Sequence, residues 1–129
     1  MPMPRGADAY RRVEAESRSP IELVVMLYDG ALRFVADARD AHQGQDLIRR
    51  ARAVSRAMAI VAELQNTLNL RDGGAIATEL DRLYTYISSR LVAVNATGDA
   101  AALDEITKLL LPLRDAWAQI TPGTPKGAA

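Results

Sequence analysis

Four stretches of helical apolar period, separated by short glycine-bearing breaks, predict an all-α fold: an antiparallel up-down four-helix bundle. No alternating strand pattern of useful length competes with them, and the breaks HQGQD, NLRDGG and NATGD are short enough to join antiparallel neighbours. At 129 residues the chain is long enough for one real core and too short to expect two. The ends MPMPRGA and TPGTPKGAA are rich in Pro, Gly and small residues that bury too little to offset the entropy of ordering. We therefore expect a mobile N-terminal cap segment over residues 1–18, a bundle domain over 19–120 and a disordered tail over 121–129.

The first helix starts at Ser19, whose hydroxyl is placed to cap it, with Pro20 at the first helical position and Glu22 able to reach back to the Ser19 amide. It should run to about Ala41, with Gly30 inside it costing about 1 kcal/mol of helix propensity and so pointing to close backbone packing. The second should run from about Asp46 to Leu68 and bury Leu47, Ala51, Val54, Met58, Val61 and Leu68. The third, about Gly74 to Ala96, carries Ile76, Leu80, Leu83, Ile87, Leu91 and Val94 in the same register. The fourth runs from an Asp99 cap to about Ile120 and buries Leu103, Ile106, Leu109, Leu110, Leu113, Trp117 and Ile120. Pro112 interrupts that helix away from the apolar stripe, so a kink with the proline outermost is expected, and a break there is the alternative.

Composition narrows the function. Sixteen basic residues balance sixteen acidic ones, which removes the electrostatic case for nucleic acid or a membrane surface as partner. There is no cysteine, hence no disulfide and no thiolate metal site, in keeping with a cytoplasmic protein. The N-terminus has no apolar signal core, and no run approaches the roughly 18 apolar residues of a membrane span, so no membrane insertion is expected.

The first helix holds more apolar residues than one buried stripe needs. At about 100° per residue, Val24, Leu27, Tyr28, Ala31, Phe34, Val35 and Ala38 form a dense face. Ile21, Val25 and Leu32 widen it on one side and Leu23 on the other, to an arc of roughly 220° where about 100° suffices. Met26 lies among Glu22, Asp29, Arg33 and Asp37. Contact with two bundle neighbours accounts for a wide arc but not for Met26. The functional reading is a groove left open for an amphipathic helix of another protein, in which Met is an adaptable contact.

Catalytic readings fail on the residues. A di-iron bundle needs two Glu-x-x-His motifs, and the only histidine, His42, follows Arg39 at minus three. His42 is expected to be a solvated histidine at a helix end, and the serines have no other base. The run RRARAVSR sets Arg49, Arg50, Arg52 and Arg56 mainly opposite the Leu47 stripe, as a solvated face would, and RDGGA is a turn without the Lys-Ser/Thr of a phosphate loop. We expect no enzyme activity, no nucleic-acid partner, and neither cofactor nor metal.

The segments AY at Ala9 and Tyr10, SPIELVVMLYDGAL from Ser19, GGAIATELDRLYTYISSRL from Gly73, VN at Val94 and Asn95, and LLPLRDAW ending at Trp117 resemble the flagellin-specific export chaperones, the FliS family. The likeness spans about Ala9 to Ile120, and the Arg-rich second helix, Pro112 and the Pro-rich start depart from the common pattern. It implies a cytosolic bundle that binds the C-terminal segment of new flagellin, prevents premature polymerisation and aids delivery to the export machinery. It also implies contact with the export gate and with flagellin-level regulators, a groove that orders the client into helices, and an N-terminal cap over that groove. On this basis the expected partner-binding residues are Tyr10, Ile21, Val25, Met26, Leu32, Leu68, Leu70, Ile76, Tyr84 and Tyr86. The alternative is a self-associating structural bundle whose apolar surplus is a homodimer seam.

Overall fold

In a computed structural model, residues 19–70 and 72–120 are described, and they form four helices: α1, Pro20–Gln43; α2, Leu47–Asn66; α3, Gly74–Thr97; and α4, Ala101–Ala118. Tyr10 and the cap and tail segments lie outside the described residues. Each helix packs against two others, in the ring order α1, α2, α3, α4. Cross-helix bonds give the direction: Asp29 early in α1 meets Arg114 late in α4, whereas Arg39 late in α1 meets Asp104 early in α4. The result is the antiparallel four-helix bundle that the periodicity predicts.

α1 begins as its sequence dictates. The Glu22 amide donates to Ser19 Oγ at 3.1 Å and the Ser19 amide donates to Glu22 Oε1 at 2.9 Å, a reciprocal capping box with Pro20 at the first position. Gly30 is buried, and a Cβ there would stand 3.0 Å from Ile60 Cδ1, so the close α1–α2 approach expected of it is present. The same approach explains why α2 differs from its expected stripe. Leu47 and Ala51 are exposed, and the buried face is Arg50, Ala53, Val54, Ala57, Val61 and Leu64. Buried Ala31, Ala38 and Ala41 on α1 and Ala53 and Ala57 on α2 let the helices close up. Weighting the stripe by large side chains rotates it away from this alanine-lined contact.

Three further expectations are corrected. Asp99 does not cap α4: its carboxylate accepts from Arg90 at 3.1 Å, and the cap position is Ala100, without a side-chain bond. Ile76 is not on the core stripe but 73% exposed on the first turn of α3. Arg50 is buried at 8% exposure and donates to Nδ1 of half-buried His42 at 3.0 Å, so neither is a solvated side chain. Burial of the whole Arg50 residue takes its aliphatic stem out of water along with the charge. α4 continues through an exposed Pro112, as the outward placement of the ring allows, and no break occurs.

Candidate functional site

The up-down arrangement brings the start of α1, the end of α2, the start of α3 and the end of α4 to one end of the bundle. The capping box fixes α1 from its first residue, so Pro20, Ile21, Leu23, Val24 and Leu27 enter this end in defined register. Opposite them stand Leu68 beyond α2, Ile76, Ala77 and Leu80 on α3, and Trp117 near the end of α4. Together they line an open apolar cleft of about 430 Å³. Gly73 permits the tight turn on its rim, since a Cβ there would fall 2.5 Å from the Asn69 carbonyl oxygen and 2.6 Å from the Ala77 Cβ. A second apolar cleft of about 250 Å³, between α3 and α4, shares Ile76, Leu80 and Trp117 with the first and adds Leu113, Ala116 and Ile120. The shared residues make one continuous apolar surface around this end.

Tyr84 lines the first cleft from below, and its hydroxyl lies 2.5 Å from that of Tyr28 on the opposite side of the core. The rings meet edge to face with centroids 6.4 Å apart. Burial raises the pKa of both phenols, and the mutual hydrogen bond raises that of Tyr84 further, so the pair is neutral at physiological pH. A hydrogen-bonded hydroxyl pair between α1 and α3 joins a diagonal of the bundle that adjacent-helix packing does not reach.

Polar bonds hold the helix seams. Arg114 donates to Asp29 at 2.7 Å and Arg39 pairs with Asp104, both between α1 and α4. Between α3 and α4, Arg90 donates to Glu105 at 2.8 Å, and the Tyr86 hydroxyl donates to the same carboxylate at 2.5 Å. The Tyr86 bond first and the Arg90 bond second hold the Glu105 carboxyl below the usual carboxylate range, and the Glu105 bond raises the Tyr86 phenol. Among the described residues no three His, Asp or Glu side chains gather as a metal-binding group, and no helix is long and apolar enough to cross a membrane.

The expected partner-binding residues separate into three places. Ile21, Leu68, Ile76 and Tyr84 come together in the cleft, and exposed Leu70 follows Leu68 at the same end. Val25 and Leu32 are half-buried on the α1 face that also carries Asp29, whose partner Arg114 is on α4, while Met26 is 48% exposed on the outer side. Tyr86 is exposed on α3 with its hydroxyl committed to Glu105. Sequence reasoning missed Pro20, Val24, Leu27, Leu80 and Trp117 as cleft residues because it assigned the large ones to the core. The available signal was position: each lies within two or three turns of a helix terminus that an up-down bundle brings to the same end.

The family described as flagellar protein FliS matches residues 3–124. The chain is 38% identical over 122 residues to the flagellar secretion chaperone FliS of Salmonella typhimurium, covering 91% of this chain and 90% of that one. It is 35% identical to the flagellar secretion chaperone FliS of Campylobacter jejuni, covering 88% of each, and 33% identical to the flagellar secretion chaperone FliSB of Pseudomonas aeruginosa, covering 84% of this chain and 89% of that one. With the bundle and its open apolar end, these matches place the chain in the FliS family of flagellar proteins.

Proposed function

We propose that this protein is a cytoplasmic, non-enzymatic flagellar secretion chaperone that binds the C-terminal segment of flagellin and withholds it from polymerisation until export. The observation that carries this reading is the continuous apolar surface at one bundle end, in a chain whose relatives are named as flagellar secretion chaperones. Burying a Leu- or Ile-sized side chain in such a cleft yields about 1.5–3 kcal/mol, part of which is spent ordering the client segment into helix. That balance favours a complex tight enough to protect the client and weak enough to release it at the export machinery. The chain before Ser19 joins the bundle at the cleft rim, because Pro20 and Ile21 line it, and residues 1–18 serve as a cap that competes with the client.

Calorimetry and circular dichroism of the full chain with a flagellin C-terminal peptide test the reading. The expected result is one-to-one binding, a negative heat-capacity change and helicity above the sum of the parts. Absence of binding, with the protein instead forming a stable homodimer in sedimentation, would replace it with the self-associating bundle. Deleting residues 1–15 should increase binding of an apolar dye to the unliganded protein without loss of helicity, and unchanged dye binding would remove the cap from the proposal.

A further inference from the structure

The formal charge is zero, yet the arginines are not evenly neutralised. Among the described residues Arg39, Arg49, Arg82, Arg90 and Arg114 each have a carboxylate at ion-pair distance, and Arg50 is buried. Arg33, Arg52 and Arg56 are exposed and make neither an ion pair nor a hydrogen bond among those residues. All three belong to one place. The guanidinium carbons of Arg33 from α1 and Arg56 from α2 each lie 5.8 Å from the centre of the Phe34 ring, and Arg52 is one helical turn before Arg56.

We propose that this α1–α2 face docks an acidic segment of a second protein, whose carboxylates are clamped by Arg33, Arg52 and Arg56 around Phe34. Half-buried Phe34 orients two of the guanidiniums by cation–π contact and so reduces the entropy lost when they bind. Guanidinium forks match carboxylates bidentately, which a solvated lysine cannot do. The neighbouring carboxylates on α1, Asp29 and Asp37, each four residues from Arg33, are committed to Arg114 and Arg49, and the exposed acids Asp40 and Glu63 each lie seven residues from the patch on their helices, about 10 Å along the axis. These acids also bound the patch. A nucleic acid needs a basic track longer than this and a wider field than a chain of zero net charge provides. None of its residues lines the apolar cleft proposed for the client, and the inference assigns the face to a second partner.

The test titrates the full-length protein with a glutamate-rich peptide, with a lysine-rich peptide of equal length and with a single-stranded oligonucleotide, observing the arginine Nε–Hε resonances. The glutamate-rich peptide should shift Arg33, Arg52 and Arg56 but not the ion-paired arginines, and Arg52→Glu with Arg56→Glu should weaken it about tenfold or more. Helicity and affinity for the flagellin peptide should stay unchanged in that variant. The inference is overturned if the shifts spread evenly over the arginines, if the double substitution leaves peptide affinity intact, or if the oligonucleotide binds the patch more tightly than the peptide. It is also overturned if the substitutions weaken the flagellin peptide equally, because the patch would then belong to the client site. Failure of the flagellin peptide to bind the unsubstituted protein would overturn the proposed function and leave this inference standing.

Discussion

The two ends of the bundle are built from the same four helices and solve opposite problems. At the end where α1 and α3 begin, Leu23, Ile76, Leu80 and Trp117 border open apolar clefts. At the other end, Arg50 lies buried beside His42, with a guanidinium nitrogen 4.0 Å from where a Cβ on Gly98 would be, and Arg90 ties Asp99 and Glu105 together. Leu47 and Ile48 project there at 60% and 73% exposure, but the surroundings of Leu47 are His42, Gln43 and Gln45 rather than other large apolar side chains. An end closed by charge and alanine holds the bundle together. An end left apolar is available to a partner.

The sharpest way to break this contrast is to charge the open end. Ile76→Glu places a carboxylate on an exposed turn, so stability should change by no more than about 0.5 kcal/mol. In the complex the carboxylate must lose its water without a cation to receive it, and flagellin-peptide affinity should fall about a hundredfold or more. Calorimetry with parallel thermal unfolding separates the two quantities, and a large drop in melting temperature would mean that Ile76 is core.

How far the sequence foretells each end follows from what its signals measure. The capping box at Ser19, the helix order and the surplus of apolar residues on α1 are local or periodic, so they are legible without coordinates. The surplus on α1 comprises Ile21, Leu23, Val25, Met26 and Leu32, and of these the cleft uses Ile21 and Leu23, with Pro20, Val24 and Leu27 from the same helix. Periodicity gives direction around a helix but not which turns remain uncovered at its ends. Arg50 departs from expectation for a related reason: a charge in an arginine run reads as solvated, and only the approach of His42 and the α3 terminus to its guanidinium shows that the side chain is buried. Nothing local to Asp99 shows that its carboxylate serves Arg90 in place of the α4 cap.

At the closed end, Arg50 distinguishes packing from charge. Among the described residues its Nε has no hydrogen-bond partner, which leaves the buried guanidinium incompletely satisfied there. Arg50→Ala removes the stem as well as the charge and should cost about 2 kcal/mol in urea unfolding. Arg50→Met keeps the stem and removes the desolvated charge, so it should stay within about 1 kcal/mol of the parent or exceed it. Flagellin-peptide affinity should be unaffected in both, since the open end is untouched. Equal destabilisation by Ala and Met would show that the His42 bond, rather than the stem, stabilises this end.

The smallest effect sharpens the contrast within one helix pair, because the α3–α4 seam is apolar around Leu80 and Leu113 at the open end and polar around Glu105 at the closed end. Hydrogen bonds from Tyr86 and Arg90 lower the folded-state pKa of Glu105 below its unfolded value. The stabilisation is therefore fully present above the ordinary glutamate value of about 4.3 and is lost as pH falls through the lower folded-state value. Glu105→Gln lacks that titration. The difference in melting temperature between the parent and Glu105→Gln should be constant from neutral pH down to about 5, then shrink on further acidification. Its size is small, because Glu105 is partly solvated and water screens the pair. A difference that grows on acidification would mean that the carboxylate is held at a cost, and the closed end would then owe its stability to alanine packing alone.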